Sequence, residues 1–243
     1  MNRRETDIFE SRSSSPRVEF NVEAIEVYRT EKSSVASEKC PGYVSSHFSK
    51  TSRFFKRTFD IVISIILLIV LSPVFLVCYI VLRLDGGPAI YKQERIGMNA
   101  RPFNIYKFRS MRVDAEKEGP QLCASLEEEQ RLTRVGRFLR RYHLDELPQL
   151  WNVLIGDMSF IGPRPERQYF IDKIMERDPR YECLYQIRPG VTSYATIYNG
   201  YTDTIDKMLK RLEYDLDYLR NGSFWFDVKI LFKTLKSIFK GGH

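Results

Sequence analysis

The chain has 243 residues, enough to bury one catalytic-sized core with appendages or two small domains. Its 38 Lys and Arg outnumber 31 Asp and Glu, a formal net charge of +7, so its partners are expected among anions: phosphate-bearing substrates, acidic lipid headgroups or nucleic acid. The four cysteines, Cys40, Cys78, Cys123 and Cys183, form no C-x-x-C pair and have no histidines at zinc-like spacing, which argues against a zinc module and reads as reduced thiols.

Residues 1–52 are polar and hold eleven serines, with strand-like alternation only in RVEFNVEAIEVY at 17–28, so a mostly disordered tail is expected. Residues 61–82, IVISIILLIVLSPVFLVCYIVL, then run for 22 positions without a charge, a membrane segment too far from the N-terminus for an ordinary cleaved signal. As a straight helix it would measure about 33 Å, long enough to cross a hydrocarbon core of roughly 30 Å. Against spanning stand Ser72-Pro73 in mid-run, where proline removes a helical hydrogen bond, and basic flanks on both sides, Arg53, Lys56 and Arg57 before and Arg83 after. A spanning helix and a hairpin that enters and returns both remain open on these features.

After the turn cluster Asp85-Gly86-Gly87-Pro88, the segment AIYKQERIGMNARPFNIYKFRSM alternates apolar and polar residues around Gly97-Met98-Asn99. It predicts a β-hairpin carrying Lys92, Arg95, Lys107 and Arg109. Residues 114–130 are charged and read as exposed helix and loop. Val135, Phe138 and Leu139 then recur at helical spacing, with five arginines in residues 131–141. Leu147, Leu150, Trp151 and Leu154 mark a second short helix with Gly156 as its cap. Met208, Leu209, Leu212, Leu216 and Leu219 predict another helix. In the last segment Trp225, Val228, Phe232, Leu235 and Phe239 share one face and Lys229, Lys233, Lys236 and Lys240 another, the pattern of a helix lying in an acidic membrane interface.

The candidate chemistry gathers at Asp145 and Glu146, read as the start of the Leu147 helix. The helix dipole and the nearby Arg140 and Arg141 should keep both carboxylates ionised near neutral pH. An ionised aspartate can act as nucleophile or hold Mg²⁺, which takes one or two carboxylates and completes its shell with water and phosphate oxygens. A helix cap with a solvated ion pair is the plain alternative. The neighbouring GPRPE, residues 162–166, clamps Arg164 between prolines and suits a bidentate grip on phosphate. Arg188 precedes a Pro-Gly turn in a third basic loop, and His143 reads as a solvated bystander. No Gly-x-x-x-x-Gly-Lys loop, dinucleotide glycine pattern, Ser-His-Asp order or metal-ligand histidine cluster is present.

DGGPAIYKQERIGMNARPFNIYKFRSMR, LDELPQLWNVLIGDMSFIGPRPE and IRPGVT, in that order after an apolar run with a central Ser-Pro, closely resemble the bacterial sugar transferases of the small monotopic phosphoglycosyl transferase kind. The likeness covers about residues 53–200. It implies an α+β, mostly helical monotopic membrane protein: a tail over 1–52, a re-entrant helix over 53–84 kinked at Ser72-Pro73, a cytoplasmic catalytic domain over 85–220 with the small β-hairpin, and an interfacial amphipathic helix over 221–243. The resemblance further implies a UDP-sugar donor, undecaprenyl phosphate as acceptor, Mg²⁺ held by Asp145 and Glu146, and work at the cytoplasmic face of the bacterial inner membrane with no nucleic acid partner. Asp145 matches the nucleophile that takes the phosphosugar and releases UMP. Glu146 matches its partner acid, acting as base or metal ligand. Arg140 matches a phosphate-contacting position, with Arg164, Arg141, Lys107 and Arg109 as further phosphate-binding candidates. The chain departs from the family at Thr192-Ser193-Tyr194-Ala195-Thr196, where many relatives carry Gly-x-Ala-Gln, a region tied to donor selection. Two rivals remain: a basic membrane adaptor without activity, and a glycosyl transferase that moves only the sugar and releases UDP.

Overall fold

The computed structural model describes residues 49–115, 130–200 and 202–239. The expected tail up to residue 48 and most of the charged stretch at 114–130 lie outside the described residues. Helix α1 (Lys50–Val70) starts well before the apolar run, its N-terminus capped by Ser49, whose hydroxyl accepts from the Ser52 amide. It ends at Leu71, where α2 (Ser72–Leu84) departs with a bend of 62°. The cause is local. Pro73 has no N–H for the Ile69 carbonyl, and the Ser72 hydroxyl donates to that carbonyl instead at 2.8 Å. Among the described residues no single helix is long and apolar enough to cross a membrane, but this bent pair together is. Ile66, Ile69, Val70, Leu76, Val77 and Leu84 along it are exposed.

The polar start of α1 is bolted to the body of the protein. Lys56 pairs with Asp227 at 2.7 Å, Arg57 donates to the carbonyls of Val153 and Leu154 at 2.5 and 2.7 Å, and the buried Asp60 accepts from the Phe160 amide at 3.2 Å. The predicted hairpin forms as β1 (Ile90–Ile96) and β2 (Pro102–Phe108), antiparallel with Tyr91 opposite Lys107 and Arg95 opposite Phe103. Its tip needs the left-handed region at Asn99 and Ala100, φ 59° and 54°. Ile105 and Phe108, three residues apart on β2, point to opposite faces of the hairpin, Ile105 with Ile96 into the main core and Phe108 into a smaller cluster.

Helix α3 (Arg134–Arg141) is capped by Thr133, which accepts from Gly136 N at 2.9 Å. A 3-10 turn (Leu144–Glu146) leads to α4 (Gln149–Ile155), ended as expected by Gly156 at φ 101°. Then follow β3 (Ser159–Ile161), α5 (Gln168–Met175), a 3-10 segment (Pro179–Gln186), β4 (Gly190–Thr192), α6 (Tyr194–Asn199), α7 (Ile205–Asn221) and α8 (Phe224–Phe239). β3 and β4 pair in parallel, Ser159 with Gly190 and Ile161 with Thr192, a pairing the sequence pattern did not predict. The architecture is α+β and mostly helical, as expected.

Two apolar clusters order these parts. The main core holds Val153, Met158, Ile171, Ile174, Leu212 and Leu219. A smaller one joins Cys78 and Leu82 of α2 to Ala89, Phe108 and Leu139, with Leu144 and Leu147 packed on it. That smaller cluster seats the 3-10 turn on the end of the bent helix pair. Helix α8 buries Asp227 and Ile230, while Trp225, Phe232 and Leu235 stay exposed beside exposed lysines. Cys78 is a buried free thiol, but Cys183 is disulfide-bonded, against the expectation of reduced thiols throughout; sequence separation says nothing about which sulfurs meet.

Candidate active site

Asp145 and Glu146 occupy the 3-10 turn between α3 and α4, entered through His143 in the left-handed conformation at φ 54°. This corrects the placement expected from the sequence. Pro148 caps α4, so both acids stand just before that helix, on the 3-10 turn that leads into it, rather than in its first turn. Side-chain neighbours act on their charge. Lys107 Nζ lies 2.8 Å from Glu146 Oε1, and Arg164 Nη2 lies 3.8 Å from the same oxygen.

The two carboxyls are therefore driven apart. Burial alone would push Glu146 up, but Lys107 and Arg164 hold it down at about 2. Asp145 is 5% exposed, and its Oδ1 is buried without a hydrogen-bond partner. Burial and then the adjacent Glu146 anion push Asp145 above the ordinary carboxylate range, while Lys107, Arg140 and His143 pull the other way. Of the two acids expected to stay ionised near neutral pH, the fold lowers Glu146 in that sense and shifts Asp145 the opposite way, because desolvation of a carboxylate outweighs the pull of more distant cations.

Lys107 is aimed from β2 by Asn152 of α4. The Asn152 side chain accepts from Tyr106 N at 3.0 Å and donates to the Asn104 carbonyl at 2.7 Å, locking strand to helix on both sides of Ile105. Its only sequence signal was one amide inside an apolar helix pattern, LWNVLI. Arg164 is presented by residues 162–166. There Gly162 N donates to the Thr192 carbonyl at 3.1 Å and Gly190 N to the Pro163 carbonyl at 2.9 Å. The strands meet so closely that a Cβ on Gly162 would lie 2.3 Å from the Arg188 carbonyl oxygen.

The structure thus brings Asp145, Glu146, Lys107 and Arg164 together, with Arg140 near enough for its charge to act on Asp145. Arg141 is exposed and forms no ion pair with either carboxylate. Arg109 stands elsewhere. It is buried, donates to the carbonyls of Gly86 and Leu82, and pairs with Asp85 at 3.4 Å, tying β2 to the end of α2. Arg188 is also structural, its Nε donating to the Gly156 carbonyl at 2.8 Å. Ser72 and Pro73 form the bend already described.

Residues 51–241 match the family model described as bacterial sugar transferase. The chain belongs to the bacterial sugar transferase family. Among curated proteins it is 40% identical over 189 residues to a UDP-N-acetylgalactosamine-undecaprenyl-phosphate N-acetylgalactosaminephosphotransferase of Aeromonas hydrophila, covering 77% of this chain and 44% of that protein. It is 41% identical over 196 residues to a UDP-glucose:undecaprenyl-phosphate glucose-1-phosphate transferase of Escherichia coli K12, covering 79% of this chain and 41% of that one. A protein of the same name from Caulobacter vibrioides is 39% identical over 186 residues, 75% of this chain and 69% of its own length. The chain therefore spans less than half of the first two relatives.

The site suits a hard divalent cation such as the Mg²⁺ expected from the sequence. Among the described residues no cluster of three or more His, Cys, Asp or Glu side chains forms a closed metal site. Asp145, with an unpartnered buried oxygen, and Glu146, whose two cations both address Oε1, could supply the one or two carboxylates that Mg²⁺ takes when phosphate oxygens complete its shell.

Proposed function

We propose that this bacterial sugar transferase moves a sugar-1-phosphate from a UDP-sugar to undecaprenyl phosphate at the cytoplasmic face of the bacterial inner membrane, starting a surface polysaccharide or glycoconjugate. The observation that carries the reading is the pairing of a buried, under-satisfied Asp145 with a Glu146 anion clamped by Lys107 and Arg164. Asp145 attacks the sugar-bearing phosphorus, the P–O bond to UMP breaks, and UMP leaves with the electron pair. An oxygen of the lipid phosphate then attacks the same phosphorus and restores the Asp145 carboxylate. Phosphoryl transfer demands positioning and charge neutralisation above all, which Lys107, Arg140 and Arg164 supply from three separate elements. Asp145 and Glu146 would hold Mg²⁺, which neutralises charge on the transferred phosphate.

A lipid phosphate acceptor requires the site at headgroup depth. The proposal places α1 and α2 as a re-entrant hairpin with both ends in the cytoplasm. Support comes from the 62° bend, the apolar residues exposed along both arms, and the exposed Arg53 and Arg83 at the flanks. Lys56 and Arg57 count less in that argument, being engaged with Asp227 and α4. Helix α8, with Trp225, Phe232 and Leu235 exposed beside its lysines, would lie in the same interface. The relatives' names differ in the sugar, N-acetylgalactosamine in one and glucose in others, so the donor sugar is left to experiment. The test is a panel of UDP-sugars with undecaprenyl phosphate and Mg²⁺, with released nucleotides resolved. UMP supports the proposal, UDP would indicate transfer of the sugar alone, and no release with any donor would leave the adaptor reading.

A further inference from the structure

Behind the Arg164 loop lies a buried ionic cluster that the proposed chemistry does not use. Glu166, two residues after Arg164, is 5% exposed. Its Oε1 accepts from Arg211 Nη2 of α7, and its Oε2 lies 3.6 Å from Arg95 Nη1 of β1. Arg211 is itself 7% exposed, and its other terminal nitrogen donates to the Thr202 hydroxyl at 2.8 Å. The backbone joins in: Ile96 N donates to the Glu166 carbonyl at 3.0 Å and Arg95 Nη1 to the Pro165 carbonyl at 3.3 Å.

Burying several ions is costly, and replacing such a set by apolar residues commonly costs no stability, so stability alone is a weak reason for the cluster. Its location suggests another. Upstream of Arg164 the loop is held by Gly162 and Pro163 against β4; downstream it is held through Glu166, on Arg211 and the Ile96 amide, and through the Arg95 bond to the Pro165 carbonyl. Pro165 fixes φ between Arg164 and Glu166, so displacement of Glu166 passes directly to the arginine. A guanidinium fork must be placed within a fraction of an ångström to grip two phosphate oxygens at once.

We propose that Arg211 is a positioning residue: seated on Glu166 and braced by Thr202, it fixes the downstream end of the loop that presents Arg164 beside Glu146. This rests on the phosphotransfer reading for its effect on rate, but not for its effect on the loop, so the two are tested separately. In the full-length protein, hydrogen exchange is read at two amides that donate into the loop, Ile96 at the downstream end and Gly190 at the upstream end. Arg211→Lys, which keeps the charge but loses the fork, should speed exchange at Ile96 at least tenfold, change Gly190 less than threefold, and leave the melting temperature within a few degrees. Thr202→Val, a milder loss of the brace, should do the same to a smaller degree. Unchanged exchange at Ile96, or equal acceleration everywhere, overturns the proposal whether or not the protein releases UMP. A double-mutant cycle then reads the rate. Arg211→Lys should cut kcat/KM for UMP release roughly tenfold or more in the wild-type background and less than threefold in an Arg164→Lys background; equal losses in both would show that Arg211 does not act through Arg164. Absence of UMP release from the wild type would sink the phosphotransfer reading and leave the exchange result standing.

Discussion

Asp215 offers a stability prediction that can be worked through with its sign. It is 3% exposed on α7, one turn after Arg211, with Oδ1 buried and unpartnered. Burial pushes its carboxyl up from an ordinary 3.8 to about 7; Arg211 opposes the shift and Glu166 adds to it, and the buried phenol of Tyr181 faces the same group. Between pH 4 and 7 the folded protein keeps a proton that the unfolded chain has already lost. The stabilisation of the protonated form is therefore fully present below pH 4, falls as pH climbs through that window, and is lost above it. A gap of about three pH units corresponds to roughly 4 kcal/mol as an upper bound. Asp215→Asn keeps the shape and cannot ionise, so the variant should be the more stable protein at pH 8 and nearly equal to wild type at about pH 3.5, below the window. Thermal melts at both pH values should show a gain of at least about 4 °C at pH 8, since 1 kcal/mol moves the midpoint of a chain this size by about 2–4 °C. Parallel pH dependence in the two proteins, or a less stable variant at pH 8, would refute the argument and mean that Asp215 is ionised against Arg211.

Three further outcomes are expected. Gly136→Ala should destabilise by about 3 kcal/mol in a denaturant titration, because the new Cβ would sit 1.8 Å from the Ser110 carbonyl oxygen, which is backbone and cannot swing away. Pro73→Leu should restore the amide that Ile69 lacks and straighten the helix pair; cysteine labelling at positions 50 and 90 in intact cells should then move one end towards the periplasm, and no change would mean the proline does not hold the bend. Arg164→Lys and Arg140→Lys should each lower UMP release tenfold or more with little change in melting temperature, whereas the exposed Arg137→Lys should be neutral, since an exposed ion pair contributes only about 0–1 kcal/mol.

Local chemistry was legible in the sequence wherever one residue type decides a geometry. The bend at Ser72-Pro73, the cap at Gly156, the β1–β2 hairpin and the buried stripe of α7 all follow from proline, glycine and periodicity, which act within a few residues. The acid pair and the stiff Arg164 loop were legible for the same reason. Long-range partners were not. Nothing in spacing tells that Arg109 turns back to Gly86 and Asp85, that Asn152 aims Lys107, or that Glu166 finds Arg211 45 positions away. The β3–β4 pair escaped notice because three residues per strand carry no usable alternation. Asp145 shows the same limit in its electrostatics: sequence neighbours suggested an easily ionised acid, while burial, a property of the packed fold, pushes it the other way.

The measurement that bears most directly on the central claim is incubation of the full-length protein with a UDP-sugar labelled in the sugar, with Mg²⁺ and without lipid acceptor, followed by denaturation and mapping of the label. The account predicts a covalent phosphosugar on the peptide that contains Asp145, discharged by added undecaprenyl phosphate, and none on Asp145→Asn protein of unchanged melting temperature. Label of equal intensity on the variant, or UMP release from wild type without any covalent label under rapid quenching, would contradict Asp145 as the nucleophile.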